Sequence, residues 1–233
     1  DGSLAYRTPG RQNKINELLN SLFTGVSNPE ILNKRSLPID VILDANYDKT
    51  VKKSMVNFVD TLRTDVMAFL DTGLSNNNTE AVINWKNDNL NVSSYHVALY
   101  AQEFLVSDPY TLCDIAVTMP YFLAKIIPTN DRLYGVQYPL AGPARGIISG
   151  FKAGSLNFEP NEQEQEDLYL SRINYSIQDF NTTEINCNLT TQARMSALSD
   201  INNVRSLLKI VREVEEVSRN YKFEHSDTDL LSQ

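Results

Sequence analysis

Three apolar runs separated by helix-length segments constrain the fold of this 233-residue chain more than any other feature. The first, Ile39 with Val41, Ile42 and Leu43, is β-branched and bounded by Pro38 and Asp44, so it reads as a short buried strand. Val51, Met55, Phe58, Val59 and Leu62 then recur at three- and four-residue steps, the period of an amphipathic helix. Residues 66–70 form a second apolar run, 79–85 a short helix and 95–105 a third strand. Strand, helix, strand, helix, strand predicts an α/β fold: a mixed, mainly parallel sheet flanked by helices.

The remaining segments add helices around that sheet. Ile15, Leu18, Leu19 and Leu22 share one face of a peripheral helix over 11–23, ended by Gly25 and Pro29. Residues 116–127 read as a helix with Pro120 in its first turns, where proline is tolerated, and Pro128 closing it. Residues 139–154 form a loop punctuated by Gly and Pro, without the spacing of a phosphate cradle. A short acidic helix over 159–170 precedes two strands, 173–177 and 185–189, suited to a hairpin or edge pair. The last helix begins at a cap on Ser199 or Asp200. Its stripe of Ile201, Val204, Leu207, Leu208, Val211 and Val214 is expected to pack on the sheet, with Arg205, Lys209, Arg212, Glu213, Glu216 and Arg219 opposite. Glu215 and Arg219 stand at i, i+4, a pairing worth about 0.2–0.5 kcal/mol. The expected organisation is an N-terminal helix and connection over 1–36, an α/β core over 37–225 and a polar tail over 226–233.

Catalytic chemistry finds little support. Asp71-Thr72-Gly73 looks like an aspartic-protease loop, but such a site pairs two carboxylates on a nearly all-β fold, whereas this triplet closes an α/β strand. There the Asp is a turn or cap residue and the Gly supplies a positive φ. The only histidines, His96 in a strand and His225 in the tail, offer no relay with a nucleophile. Asp40, Asp44 and Asp48 suit strand-end and capping roles better than a cation loop, which would need a following glycine. Cys113 and Cys187 lack ligand spacing, which leaves two buried or inert thiols. No apolar run has membrane length. Twenty-nine acidic against 21 basic residues, a net charge of −8, argue against a nucleic-acid surface.

Several segments in order carry a resemblance. Pro38-Ile-Asp-Val-Ile-Leu-Asp-Ala-Asn46, Val66-Met-Ala-Phe-Leu-Asp-Thr-Gly73, Tyr95-His-Val-Ala-Leu-Tyr100, Ala141-Gly-Pro-Ala-Arg-Gly146, Leu168-Tyr-Leu-Ser-Arg-Ile-Asn174, Ile201-Asn-Asn-Val-Arg-Ser-Leu-Leu208 and Phe223-Glu224 together resemble the contractile tail sheath family of bacteriophages, related to the sheaths of pyocins and type VI secretion systems. The likeness spans roughly Pro38 to Glu224; a Gly-rich, Trp-containing segment usual in the family is replaced by Asp179 to Leu189.

The resemblance implies a structural, non-enzymatic subunit that polymerises around an inner tail tube and contracts to drive it through a host envelope. The implied partners are further sheath copies, the tube protein, and baseplate and tail terminator proteins, with no cofactor, metal, direct nucleic acid or direct membrane contact. The implied place is the contractile tail of a virion assembled in the host cytoplasm, and the family's terminal arms are expected to lie outside this segment. A baseplate or other virion accessory module that does not self-polymerise is the alternative. Candidate contacts with a neighbour or the tube are Arg145 in the Gly/Pro loop, Arg205, Lys209 and Arg212 on the last helix, and Glu162, Glu164 and Glu166 on the acidic helix. A guanidinium on a loop suits bidentate pairing with a neighbour's carboxylate, or an ion pair within the chain.

Overall fold

The structure, a computed structural model, describes residues 9–74, 76–179 and 182–221. The expected strand at Phe223-Glu224, His225 and the polar tail lie outside them.

The predicted alternation is present. Strands β1 (Val41–Leu43), β2 (Met67–Asp71) and β3 (Val97–Tyr100) lie parallel in chain order, with Val41 beside Met67 and Ala68 beside Val97. The crossovers are helix α2 (Lys49–Asn57), which runs on through a π-type turn at Phe58–Leu62, and helix α3 (Thr79–Asn89). Each crossover starts on a side-chain cap: Asp48 accepts from the Thr50 N–H at 3.0 Å and Asn78 from the Ala81 N–H at 2.8 Å.

Side-chain alternation divides the sheet into two apolar layers. Ala68, Leu70, Val97 and Leu99 face one core, covered by Val51, Met55, Phe58 and Val59 of the α2 region, Val82 of α3 and Phe23 of helix α1 (Pro9–Phe23). Met67, Phe69, Ala98 and Tyr100 face the other. It is filled by Met119, Phe122 and Leu123 of helix α4 (Met119–Leu133) and by Ile201, Val204 and Leu208 of helix α6 (Ile201–Ser218). All five residues of β2 are buried, so each side of this strand contributes about 1.5–3 kcal/mol per large apolar side chain.

The expected third strand, 95–105, is two. Gln102 takes φ 72°, and its side-chain amide donates to the carbonyls of Phe158 and Ser176 at 3.0 and 2.9 Å while accepting from the Ser176 N–H at 2.6 Å. This break turns the chain into β4 (Glu103–Ser107), antiparallel to β5 (Asp114–Thr118). The expected helix over 116–127 is corrected at both ends: residues 116–118 complete β5, and α4 continues past Pro128 to Leu133. Buried Ile127 and Asn130 hold the turn beyond the proline, Asn130 by donating its amide to the Arg145 carbonyl at 2.9 Å.

Within the Gly/Pro loop a two-residue strand, β6 (Ile147–Ile148), joins β7 (Ser176–Asp179) and β8 (Thr182–Ile185) in an antiparallel sheet with β8 central. The hairpin is therefore real, but its ladder lies three residues nearer the connection than the apolar runs suggest. Asn174 instead extends the parallel sheet beside Tyr100, and Leu189 bridges Asp200. The acidic helix, α5 (Glu162–Leu170), begins at Asn161.

Candidate interaction surfaces

At the carboxyl ends of the parallel strands, three charges are buried together. Asp44 and Asp71 each follow a strand interior and both engage the ammonium of Lys52, Asp71 at 2.6 Å. The second Asp71 oxygen accepts from the Thr118 hydroxyl at 2.7 Å and the Asn46 N–H at 3.1 Å. Asp71 Oδ1 also accepts from the Gly73 N–H at 2.8 Å, and Gly73 has φ 85°. The Asp-Thr-Gly triplet is thus a turn locked by an ion pair. Burial, and then the like charge of Asp71, push the Asp44 carboxyl up to about 6 against the pull of Lys52. The remaining carboxylates of the early cluster act separately, Asp48 capping α2 and Asp40 pairing with Arg212.

His96 is buried against Tyr95 at 4.1 Å between ring centres, its Nδ1 3.2 Å from Asp60. The Ser94 hydroxyl also donates to Asp60, so hydroxyl and imidazole both turn to the carboxylate rather than to each other, and no nucleophile relay is formed. Among the described residues no group of three His, Cys, Asp or Glu gathers as a metal site. Cys187 is buried and its thiol pushed up to about 11 by that burial; Cys113, expected to be buried or inert, stands exposed after the turn between β4 and β5.

Helix α6 departs from its expected role. Ile201, Val204 and Leu208 are buried, but Val211 and Val214 of the same stripe are exposed, joined by Ile210 and Val217. Only the first half of the helix packs on the sheet. Arg205, placed by periodicity on the outer face, is buried and ion-paired with Asp131 of α4. Arg212 clamps α6 to the segments that lead into β1 and β2: it pairs with Asp40 and donates to the carbonyls of Ile39 at 3.1 Å and Asp65 at 3.0 Å. Lys209 stays exposed, 3.9 Å from Glu213. Glu215 meets Lys34 at 3.8 Å rather than Arg219.

Arg145 makes no ion pair among the described residues. Its guanidinium lies 5.0 Å from the Tyr138 ring and 5.9 Å from the Tyr134 ring, and Nε donates to the Pro139 carbonyl at 3.3 Å. It borders a groove between α4 and β6 of about 600 Å³. On α5, Glu164 is spent in a capping box, accepting from the Asn161 N–H at 2.8 Å while Asn161 accepts from the Glu164 N–H at 3.1 Å. Glu162 and Glu166 project to solvent. The structure thus separates the seven candidate residues into two that hold the chain together, one helix cap and four at the surface.

No family model matches the chain, and no curated protein matches it significantly. Solved structures do. The helical sheath of the anti-feeding prophage in its contracted state matches with a TM-score of 0.66 and 14% identity, over 87% of this chain and 52% of that one. The sheath complex of an extracellular contractile injection system, PVC, gives 0.65 and 17%, over 88% and 53%. The sheath tail protein of Desulfitobacterium hafniense gives 0.59 and 12%, over 88% and 45%. The fold is that of contractile sheath proteins. The sheath-like segments noted in the sequence hold its first three strands, since 38–46, 66–73 and 95–100 contain β1, β2 and β3. The chain spans about half the length of these sheath proteins.

Proposed function

We propose that this chain is the core of a contractile sheath subunit. Many copies stack around an inner tube, are held in an extended lattice and pass to a contracted lattice of lower free energy, driving the tube through a host envelope. The observation that carries this reading is the fold likeness, which extends over nearly nine-tenths of the chain in sheath proteins from three separate systems. The role is structural and needs no cofactor. Its partners are further copies, the tube protein, and baseplate and terminator proteins of a virion tail assembled in the host cytoplasm.

The surface supports the reading. Switchable lattices favour contacts that form and break without exposing a large apolar core, and charged groups on a packed scaffold supply them. Lys209 and Glu213, exposed and one turn apart, offer such a face on α6. The test is negative-stain microscopy of the chain with whatever flanking sequence its gene encodes. Hollow tubes with a helical repeat are expected; dispersed particles across several salt concentrations would overturn the sheath reading in favour of an accessory module.

A further inference from the structure

The groove beside α4 and the acidic helix α5 carry complementary patterns on opposite faces of the molecule. Tyr121, Lys125 and Leu133 of α4 and Tyr134 just after it, with Arg145 and Ile147 across from them, line the groove, and no carboxylate is among the described lining residues. Tyr121, Leu133 and Ile147 are 56%, 58% and 44% exposed, an unusual outlay of apolar surface flanked by two cations.

Helix α5 presents the inverse. Glu162, Glu166 and Leu170 follow one another at i, i+4 and share a face, and Tyr169 is exposed beside Leu170. Two like charges one turn apart disfavour the isolated helix, and opposing cations would relieve them.

The two surfaces cannot meet within one molecule. Leu168 anchors α5 in the layer with Ala68, Leu70, Val97 and Leu99, whereas Phe122 and Ile148, beneath the groove, belong to the layer with Met67, Phe69, Ala98 and Tyr100. The β1–β2–β3 sheet stands between them.

We propose that the groove receives α5 of a second copy of this chain, with Leu170 and Tyr169 on the apolar wall and Glu162 and Glu166 against Lys125 and Arg145. Because the groove and the helix that fills it are different patches, the contact is head-to-tail: each copy fills one neighbour and is filled by another, so the contact propagates instead of closing as a pair. Tyrosine and arginine along the groove match the composition that dominates protein contacts. The proposal rests on the sheath reading for its place in an assembly, but the contact is tested apart from it.

In a Cys113→Ser background, the pair Ala144→Cys and Leu170→Cys puts one thiol at the groove and one on α5. Mild oxidation of the concentrated protein should give a ladder of dimers, trimers and higher species on a non-reducing gel, while either cysteine alone gives no species beyond a dimer. Adding Lys125→Glu and Arg145→Glu should remove the ladder, and further adding Glu162→Arg and Glu166→Arg should restore it, in variants whose thermal melts match the parent. No linkage at millimolar concentration, a product that stops at dimer in the paired variant, or a ladder indifferent to charge reversal would each overturn the proposal. Helical tubes in microscopy without this ladder remove the contact and leave the sheath reading standing; a charge-sensitive ladder without tubes does the reverse.

Discussion

Asp44, Lys52 and Asp71 enclose three charges with a net of −1 in a site where each side chain is at most about 1% exposed. Removing the cation leaves two carboxylates facing each other out of water, so Lys52→Met should cost about 3–5 kcal/mol, measured by chemical denaturation. That loss should be larger at alkaline than at mildly acidic pH, since protonating one carboxyl relieves the repulsion. In the parent protein the sign follows from the raised Asp44 carboxyl: a group that binds its proton more tightly folded than unfolded contributes its stability below its ordinary value of 3.8 and loses it as pH rises through about 6. Asp44→Asn should therefore flatten the fall in stability across that window, read as the parent-minus-variant difference in unfolding free energy. Half of this site is legible in the sequence. Leu43-Asp44 and Leu70-Asp71 each end an apolar run, and two runs that pair in parallel bring their terminal residues together. Lys52 is harder to find, because it adjoins Val51 and reads as the polar flank of a helix; its signal is that a stripe aimed at the sheet carries a cation on the edge nearest the strand ends.

Among the elements, α6 shows what periodicity does and does not determine. The repeat from Ile201 to Val214 identifies an apolar face, but an apolar face does not specify which molecule covers it, and the sheet reaches only its first half. Leu208→Ala should cost about 2–5 kcal/mol and Val214→Ala no more than about 0.5 kcal/mol, compared by denaturant midpoints. Charge reversals should divide likewise. Arg212→Glu removes the clamp to Asp40 and to the Ile39 and Asp65 carbonyls and should lower the melting temperature, whereas Lys209→Glu should leave it within error and, on the sheath reading, weaken tube formation. Arg205 defies the outer-face reading for a physical reason: it stands one turn after Ile201, on the face the helix buries, and α4 brings Asp131 to pair its guanidinium there. The break at Gln102 is equally hidden, since a polar residue at positive φ inside an apolar run is held by carbonyls and an N–H more than fifty residues away.

Over the whole molecule, protection from hydrogen exchange should follow the layering. Amides of β2, bonded on both sides and buried on both faces, should exchange only on global unfolding, with the exposed last turns of α6 exchanging orders of magnitude faster. The parallel order of the sheet is the best-read feature of the sequence because each strand and each crossover carries its own period. The small antiparallel sheet is the worst-read, because β6 is two residues long and draws its pairing from β8, some 35 residues away.

The two apolar layers share one three-stranded partition, and this has a mechanical meaning. Close-packed interiors are barely compressible, so a displacement applied at one face is passed on rather than absorbed. A push on α4 reaches α5 through Phe122, the sheet and Leu168, each packed into one or other of the two layers. The domain is a stiff spacer, and on the sheath reading whatever travels through a stack of such units must do so by slippage between them, since little of it can be stored as bending within each one.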